Sequence, residues 1–365
     1  MRSYLISLDG DPVDDDLAAA FEVVEVDERV SAPSTFLLTL RAELGADGRW
    51  SHLDDDRFAL FTPVAVSVGN GDRPVPERVV DGYLTSVSLR IGSEPGTGFL
   101  DLRGVDPTVL LGLEEKVAVW PDLADSDIAE QILDSYDLDF DVTATAAVRQ
   151  DVDTTVVQRG TDAAFLRTLA RRNGYEFSFS PDAYFGPPRL GGESQPDVAL
   201  RAGAGSNLRS FTLALDGVRP LAVAAAQVDP RTREVSSADV TDSDLETLGS
   251  DAIGDVLDDR LGRVVTPDAE QARVLLLGEP SADPTVLTAA AQGVRDEASW
   301  AVSARGELNP DAYPGVLRSG RTVGVRGVGE THSGTYYVTR VTHRLTSDGV
   351  YGVAFEARRN AVGAG

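Results

Sequence analysis

The chain has 365 residues, 42% of them hydrophobic, which is enough for more than one packed core and too many for wholesale disorder. Its 59 acidic residues against 33 basic ones give a formal net charge of −26, which repels phosphate backbones and argues against general nucleic-acid binding. There are no cysteines, so disulfides and thiolate metal sites are excluded, and three histidines (His52, His332 and His343) leave little material for a triad or a zinc centre.

The first stretch, MRSYLISLDGDPVDDD, has one Arg and a short apolar run before a series of acids, which is not the pattern of a secretory signal. The longest apolar stretches, such as 221–226, are too short to cross a bilayer. The reading is of a soluble protein held in the cytoplasm until a later event. The first hundred residues read as β. Strands are expected at 21–26, 34–42, 64–68, 79–91 and 99–105, with Tyr83, Thr85, Val87 and Leu89 on one face by the period of two. Gly69-Asn70-Gly71 reads as a turn. Short turns between such strands suggest a sandwich or barrel.

Asp106-Pro107 marks a change of character, and 108–113 reads as a short helix or turn. DSDIAEQILDSY, 125–136, is a helix with an apolar stripe of Ile128, Ile132, Leu133 and Tyr136, in which Asp127 is placed as the cap and Glu130 as its capping-box partner. TTVVQRGTDAAFLRTLARRNGYEFSF, 154–179, is strand, helix, strand. Thr161 or Asp162 caps the helix; Phe165, Leu166, Leu169 and Ala170 face a core; Arg167, Arg171 and Arg172 face outward; Asn173-Gly174 stops it. Those arginines read as salt-bridge donors to a neighbouring subunit or domain rather than as a nucleic-acid face, given the charge of the chain.

Residues 181–197 are rich in Pro and Gly and read as loop or hairpin. A second β region begins near Ser210 and runs through 221–230; 231–275 reads as a polar, extended excursion; 283–298 is a helix with Pro284 in its first turn. A strand at 335–345, a turn at Ser347-Asp348-Gly349 and a partner strand at 350–358 with Tyr351, Val353 and Phe355 on one face close the reading. The order is β, α/β, then β with a helical insertion, and the two β halves hint at an internal duplication.

Chemistry-bearing constellations are few. Asp9-Gly10-Asp11 with Asp14-Asp15-Asp16 lacks the spacing and terminal Glu of a calcium loop, and Asp54-Asp55-Asp56 reads the same way, as solvated acids. His332 and His343 are an odd number of residues apart, which on one strand puts them on opposite faces. Arg201-Ala202-Gly203-Ala204-Gly205 has no following Lys-Ser/Thr or helix and reads as a linker rather than a phosphate loop. No catalytic, cofactor-binding or metal residue is nominated, and no cofactor is expected.

DSDIAEQILDSYDL, TTVVQRGTDAAFLRTLARRNGYEFSF and GTYYVTRVTHRLTSDGVYGVAFEARRN, in this order, resemble phage late control D proteins, the tail hub proteins of contractile phages, and the N-terminal hub portion of VgrG spike proteins. The resemblance covers roughly 106–360 by motif and 1–105 by β character and position. It implies a mainly β chain with α+β insertions: a first tube-like β-barrel domain at 1–105, a small α/β domain at 106–200, and a second barrel at 201–365 with a polar and helical insertion near 231–300. It further implies a homotrimeric baseplate hub that adapts a sixfold tail tube to a threefold spike. The partners would be the tail tube protein, a separate spike protein and other baseplate proteins, in a phage tail or injection particle assembled in the cytoplasm. Because the chain stops after the final hairpin, the spike is expected on another polypeptide. The acidity is either a solvated surface or a lumen that keeps cargo from sticking. Two other readings are carried, a tail-tip cell-wall hydrolase and a carbohydrate-binding β module; neither an added catalytic segment nor exposed aromatic platforms favour them.

Overall fold

The computed structural model describes residues 3–69, 76–92, 97–146, 148–149, 155–200, 205–229, 232–264, 273–277 and 283–363. Strands make up 47% of the described residues and helices 20%, so the mainly β expectation holds.

The first region contains β1 (Ser3–Leu8), α1 (Asp15–Ala20), β2 (Phe21–Arg29), β3 (Thr35–Glu43), β4 (Pro63–Gly69), β5 (Glu77–Ile91) and β6 (Thr97–Val105). A central unit follows: β7 (Glu115–Trp120), α2 (Asp125–Asp134), β8 (Phe140–Val142), β9 (Val156–Thr161), α3 (Asp162–Arg172), β10 (Glu176–Phe179) and β11 (Ala183–Gly186). Next come β12 (Gln195–Ala199), β13 (Leu208–Leu215), β14 (Ala222–Val228), β15 (Val235–Val240), α4 (Ile253–Gly262), β16 (Arg273–Leu277) and α5 (Pro284–Ser299). The chain returns to β with β17 (Val302–Leu308), β18 (Thr322–Arg326), β19 (Gly334–Thr346) and β20 (Tyr351–Arg359).

Strands from both ends of the chain enter one thirteen-stranded sheet, whose path is β13-β17-β20-β19-β2-β3-β6-β5-β4-β1 and then Asp11–Pro12; β18 branches from β19 and carries β12. The seam between the halves is the antiparallel pair β19–β2, in register from Arg340↔Arg29 to Thr346↔Val23. The path has two ends, and no sheet among the described residues closes into a barrel. Because side chains alternate across a strand, each strand sends its apolar set to one side. Leu38, Leu100 and Val26 from the first half meet Val341, Val353 and Phe355 from the second in a single hydrophobic cluster.

In β5 the expected common face of Tyr83, Thr85, Val87 and Leu89 is broken. The register against β6 shifts between Leu84 and Ser86, so Leu84 points into the core before the shift and Val87 and Leu89 after it. An extra residue at a bulge inverts the parity of everything beyond it.

The central unit has its own core, in which Ile128, Ile132 and Leu133 of α2 pack with Phe165, Leu166 and Leu169 of α3. Helix α2 begins two residues before the expected cap. Ala124 is the N-cap, and Asp127, in the first turn, accepts a hydrogen bond from the Ala124 amide at 3.2 Å. Thr161 caps α3, its Oγ1 accepting from the Ala164 amide at 3.3 Å. The segment 181–197 contains β11 and the start of β12 in addition to loop.

The expected excursion at 231–275 is instead part of a second small α/β unit. β15, β14 and β16 form a three-stranded sheet, and Val223, Ala225 and Val240 pack against Leu287 and Ala291 of α5. Asp283 caps α5 by accepting from the Thr285 amide at 2.7 Å, with Pro284 in the first turn as expected. This unit abuts the central one where Gly293 of α5 meets Gly174 at the end of α3. A Cβ on Gly293 would lie 2.7 Å from the Gly174 amide nitrogen, and Gly174 itself has φ +68°, so both positions need a residue without a side chain.

Candidate functional site

The strands β5, β6, β3, β2, β19, β20, β17 and β13 lie side by side and present one polar face, opposite to the shared core. On β5 and β6, Arg90 Nη2 donates to Asp101 Oδ1 at 3.0 Å, which also accepts from Thr39 Oγ1 of β3 at 2.7 Å. Arg41 Nε donates to Glu22 Oε1 at 2.8 Å across β3 and β2. At the seam, Arg344 Nη1 reaches Glu25 Oε2 at 2.7 Å, and Arg340 Nε and Arg29 Nε converge on Asp27 at 2.6 Å and 2.8 Å. Arg305 of β17 lies 3.4 Å from Glu356 of β20. Opposite charges thus alternate over the face, and the net negative charge of the chain is carried elsewhere. The hydrogen bond from Arg90 holds Asp101 below the usual carboxylate range. Burial pushes Asp27 up, but Arg340 and Arg29 outweigh it and keep that carboxyl low as well.

Directly behind the seam lies a buried ionic cluster. Glu28 and His343 occupy inward positions on β2 and β19, with side chains 2% and 0% exposed. His343 Nε2 is 3.2 Å from Glu28 Oε1, and Nδ1 is 2.9 Å from the Tyr351 hydroxyl. Arg318 donates from Nε to Glu28 at 2.9 Å, from Nη1 to Glu77 at 3.0 Å and from Nη2 to Ser180 Oγ at 3.1 Å. One guanidinium therefore ties both halves of the sheet to the central unit. Burial opposes ionisation of Glu28, but Arg318 and His343 overcome it and hold the carboxyl below its ordinary range. Burial also raises the Tyr351 hydroxyl, so it stays protonated.

In the central unit, β7 and β9 form an antiparallel ribbon whose inner side carries a polar network. The fully buried Gln158 donates to Asp162 Oδ1 at 2.6 Å and accepts from Trp120 Nε1 at 3.2 Å. Lys116, the single lysine of the chain, and the Tyr136 hydroxyl each donate to Asp162 Oδ2 at 2.6 Å. Gln-Arg-Gly-Thr-Asp thus places two mutually satisfied polar side chains where ribbon turns into helix. The outer side of the ribbon exposes Val117, Val119 and Val157 together with Glu115 and Arg159.

Of the three outward arginines of α3, Arg172 is not free. It pairs with the buried Asp125, which also accepts from Asn173 Nδ2 at 2.6 Å. Arg171 is exposed and Arg167 half-buried. The two C-terminal histidines lie apart: His332 precedes β19, its carbonyl accepting from the Tyr336 hydroxyl at 2.7 Å, while His343 is inside the cluster described above. Asp14 caps α1 by accepting from the Leu17 amide at 2.8 Å, and Asp55 accepts from the Arg57 amide at 3.0 Å, so both acidic runs serve local turns. Among the described residues no group of three or more His, Asp or Glu side chains could hold a metal ion. The Gly69-Asn70-Gly71 turn from Asn70 onward and residues 201–204 of the glycine-rich linker lie outside the described residues.

A family model described as the Alg8 N-terminal domain matches residues 4–347. The chain belongs to the Alg8 N-terminal domain family. No curated protein matches it. Among solved structures, it is similar to the 43 kDa tail protein of prophage MuSo2 from Shewanella oneidensis, at 12% identity, covering 99% of this chain and 100% of that one, with a TM-score of 0.64. It is likewise similar to a tail protein from Neisseria meningitidis at 11% identity, 98% and 97% coverage and a TM-score of 0.65. A third likeness is to the Francisella PdpA–VgrG complex, at 9% identity, 98% of this chain, 52% of that chain and a TM-score of 0.53. At these identities the likeness is one of fold. This member of the Alg8 N-terminal domain family has a tail-protein fold along nearly its whole length.

Proposed function

We propose that the chain is a structural baseplate hub of a contractile tail or contractile injection system. The observation that carries the reading is the eight-strand stretch of sheet built from both halves of the chain, with one face in the shared core and the other an ion-paired polar wall. Its likeness in fold to phage tail proteins and to a VgrG-containing complex supports the same role, and so does the late control D resemblance of the central motifs. On this reading three copies form a ring, each contributing two tube-like β domains, at 1–105 and 201–365, braced by the α/β domain at 106–200. The polar faces line the passage. The ring adapts a sixfold tail tube to a threefold spike, and its partners are tube, spike and other baseplate proteins. The protein works by assembly and carries out no catalysis, and it belongs to a tail or injection particle assembled in the cytoplasm.

Two features suit assembly. Strand β13 has one neighbour in the sheet, β17, which leaves its other edge open among the described residues. Open edges are covered in native assemblies, and a cyclic ring supplies the cover. The charge of −26 sets the condition, because like subunits associate more readily once salt screens them. The test is the mass in solution by light scattering at low and at high salt. Three times the chain mass of 38.8 kDa at either condition supports the hub, and a monomer at both removes the trimeric reading.

A further inference from the structure

Among the described residues β7 and β9 pair only with each other, so the ribbon has two open edges as well as an outer face. Its inner side is filled by the network of Trp120, Gln158 and Asp162, and its Val156 enters the core of the central unit. The outer face carries six side chains in three cross-strand pairs: Val119 with Val157, Val117 with Arg159, and Glu115 with Thr161. Val117 is 82% exposed, Val119 59% and Val157 42%. Branched apolar side chains on a ribbon with open edges form a template for association, which folded chains cover or avoid.

The charges on this face differ from those on the polar face of the large sheet. There, arginines and carboxylates pair within the chain. Here Glu115 and Arg159 form no ion pair with a described residue, and one acid offsets one base. A chain of net charge −26 repels its own copies over much of its surface. The outer face of the ribbon is neutral and apolar, so that repulsion is least there.

We infer that the outer face of the ribbon packs against the same face of a second copy of this chain. A two-fold contact brings one patch against itself, so the charges on it must complement themselves. A two-fold axis running along the ribbon lays Val119 on the second copy's Val157 and Val157 on the second copy's Val119. It sets Arg159 across from the second copy's Val117, one cross-strand pair away from the second copy's Glu115 and within reach of it. A partner of a single sign of charge would instead repel either Glu115 or Arg159. Six residues a side fall short of the roughly 20–30 of a standard interface, so the contact is a transient one. The inference does not depend on the hub reading. The contact joins two chains, or two rings where chains are already in rings, and solution mass and the trapping experiment below read the two separately.

The chain has no cysteine, so one introduced thiol reports one position. Val119→Cys and Val157→Cys are made in separate full chains, one of them carrying a size tag, and Val264→Cys, 81% exposed at the end of α4, measures random collision. Under mild oxidation the mixed disulfide of the Val119→Cys and Val157→Cys chains should form about tenfold or more faster than the Val264→Cys dimer at equal concentration, as placement of the two thiols requires. Adding Val117→Arg to both chains opposes the second copy's Arg159 and should bring the rate down to that of the collision control. Positions 117, 119 and 157 are exposed, so the variants keep the fold, which thermal melts check. A mixed disulfide no faster than the Val264→Cys dimer overturns the proposal and gives the ribbon to a different protein. A fast rate that Val117→Arg leaves unchanged also overturns it, since the chains would then meet through another surface.

Discussion

Glu28 and Arg318 are 290 residues apart in the chain and joined by a 2.9 Å hydrogen bond from Nε to Oε1. The pair is buried, with side chains 2% and 8% exposed, and its arginine also holds Glu77 and Ser180. Two charges taken out of water this far attract strongly but lose their hydration, so the pair as a whole contributes little net stability. Breaking it is another matter. Arg318→Met leaves Glu28 charged, buried and without its main partner, and should destabilise the protein by roughly 3–5 kcal/mol. The double variant with Glu28→Gln removes the stranded charge and should recover much of that loss. Urea denaturation of the three proteins measures both quantities, and equal losses in the single and double variants would contradict this account.

The same cluster sets a pH dependence. Glu28 and Asp27 both have carboxyl groups held below their ordinary range, Glu28 by Arg318 and His343 against burial, Asp27 by Arg340 and Arg29 against burial. A folded value below the unfolded one, about 4 for such groups, means that the stabilisation is complete above that value. It is lost as pH falls through the depressed folded values. Glu176 has the opposite sign. Burial raises its carboxyl more than Arg358 and Tyr337 lower it, so its contribution is present in acid and declines as pH rises from the unfolded value through the folded one. Denaturation as a function of pH should therefore show a smaller loss on acidification in Asp27→Asn, and a smaller loss on raising pH above about 4 in Glu176→Gln. Identical pH profiles for the variants and the parent would remove these assignments.

A packing prediction comes from the first half of the sheet. Gly104 of β6 pairs directly with Phe36 of β3, and a Cβ at position 104 would run into the Phe36 ring. Gly104→Ala should cost about 1–3 kcal/mol, as overpacking of a filled core does. Phe36→Leu on the same background makes room and should return part of it. A thermal melt of Gly104→Ala indistinguishable from the parent would show that the ring moves aside freely.

Parity and capping explain which parts of this architecture were legible. The long strands β2, β3, β6, β19 and β20 could be read because branched and aromatic residues alternate with polar ones, and α3 because Thr161 and Asn173-Gly174 punctuate it. Glu28 and His343 were readable in principle. Glu28 has the inward parity of Val24 and Val26, and His343 that of Val341 and Leu345, so a charged residue stood among core positions. Arg318 was not, since it lies outside the strands and no period marks its direction. The second α/β unit escaped because β15 is Val-Ser-Ser-Ala-Asp-Val and β16, on the other side of β14, is a short apolar run, neither with a pattern that outlasts its neighbours. The bulge in β5 was invisible for a related reason, because a one-residue register shift leaves composition unchanged. Arg167 and Arg171 are legible on α3, but the residues that face them come from α5 and the sheet, which only the tertiary fold brings together.

Arg344 and Glu25 provide the counterpart to Arg318 and Glu28. They too join β19 to β2, at 2.7 Å, but on the outward face, with side chains 56% and 30% exposed. Water already solvates these charges, so attraction is screened and little is stranded when one partner goes. Arg344→Ala should change stability by no more than about 1 kcal/mol, and the change should shrink further in high salt. If the polar face is a wall in an assembly, the effect belongs in the assembly and not in the fold: melting of the isolated chain stays near that of the parent, whereas Arg318→Met falls far below it. A loss at Arg344 as large as that at Arg318 would mean that the outward face is desolvated within a single chain, and the contrast drawn between the two sides of the seam would not stand.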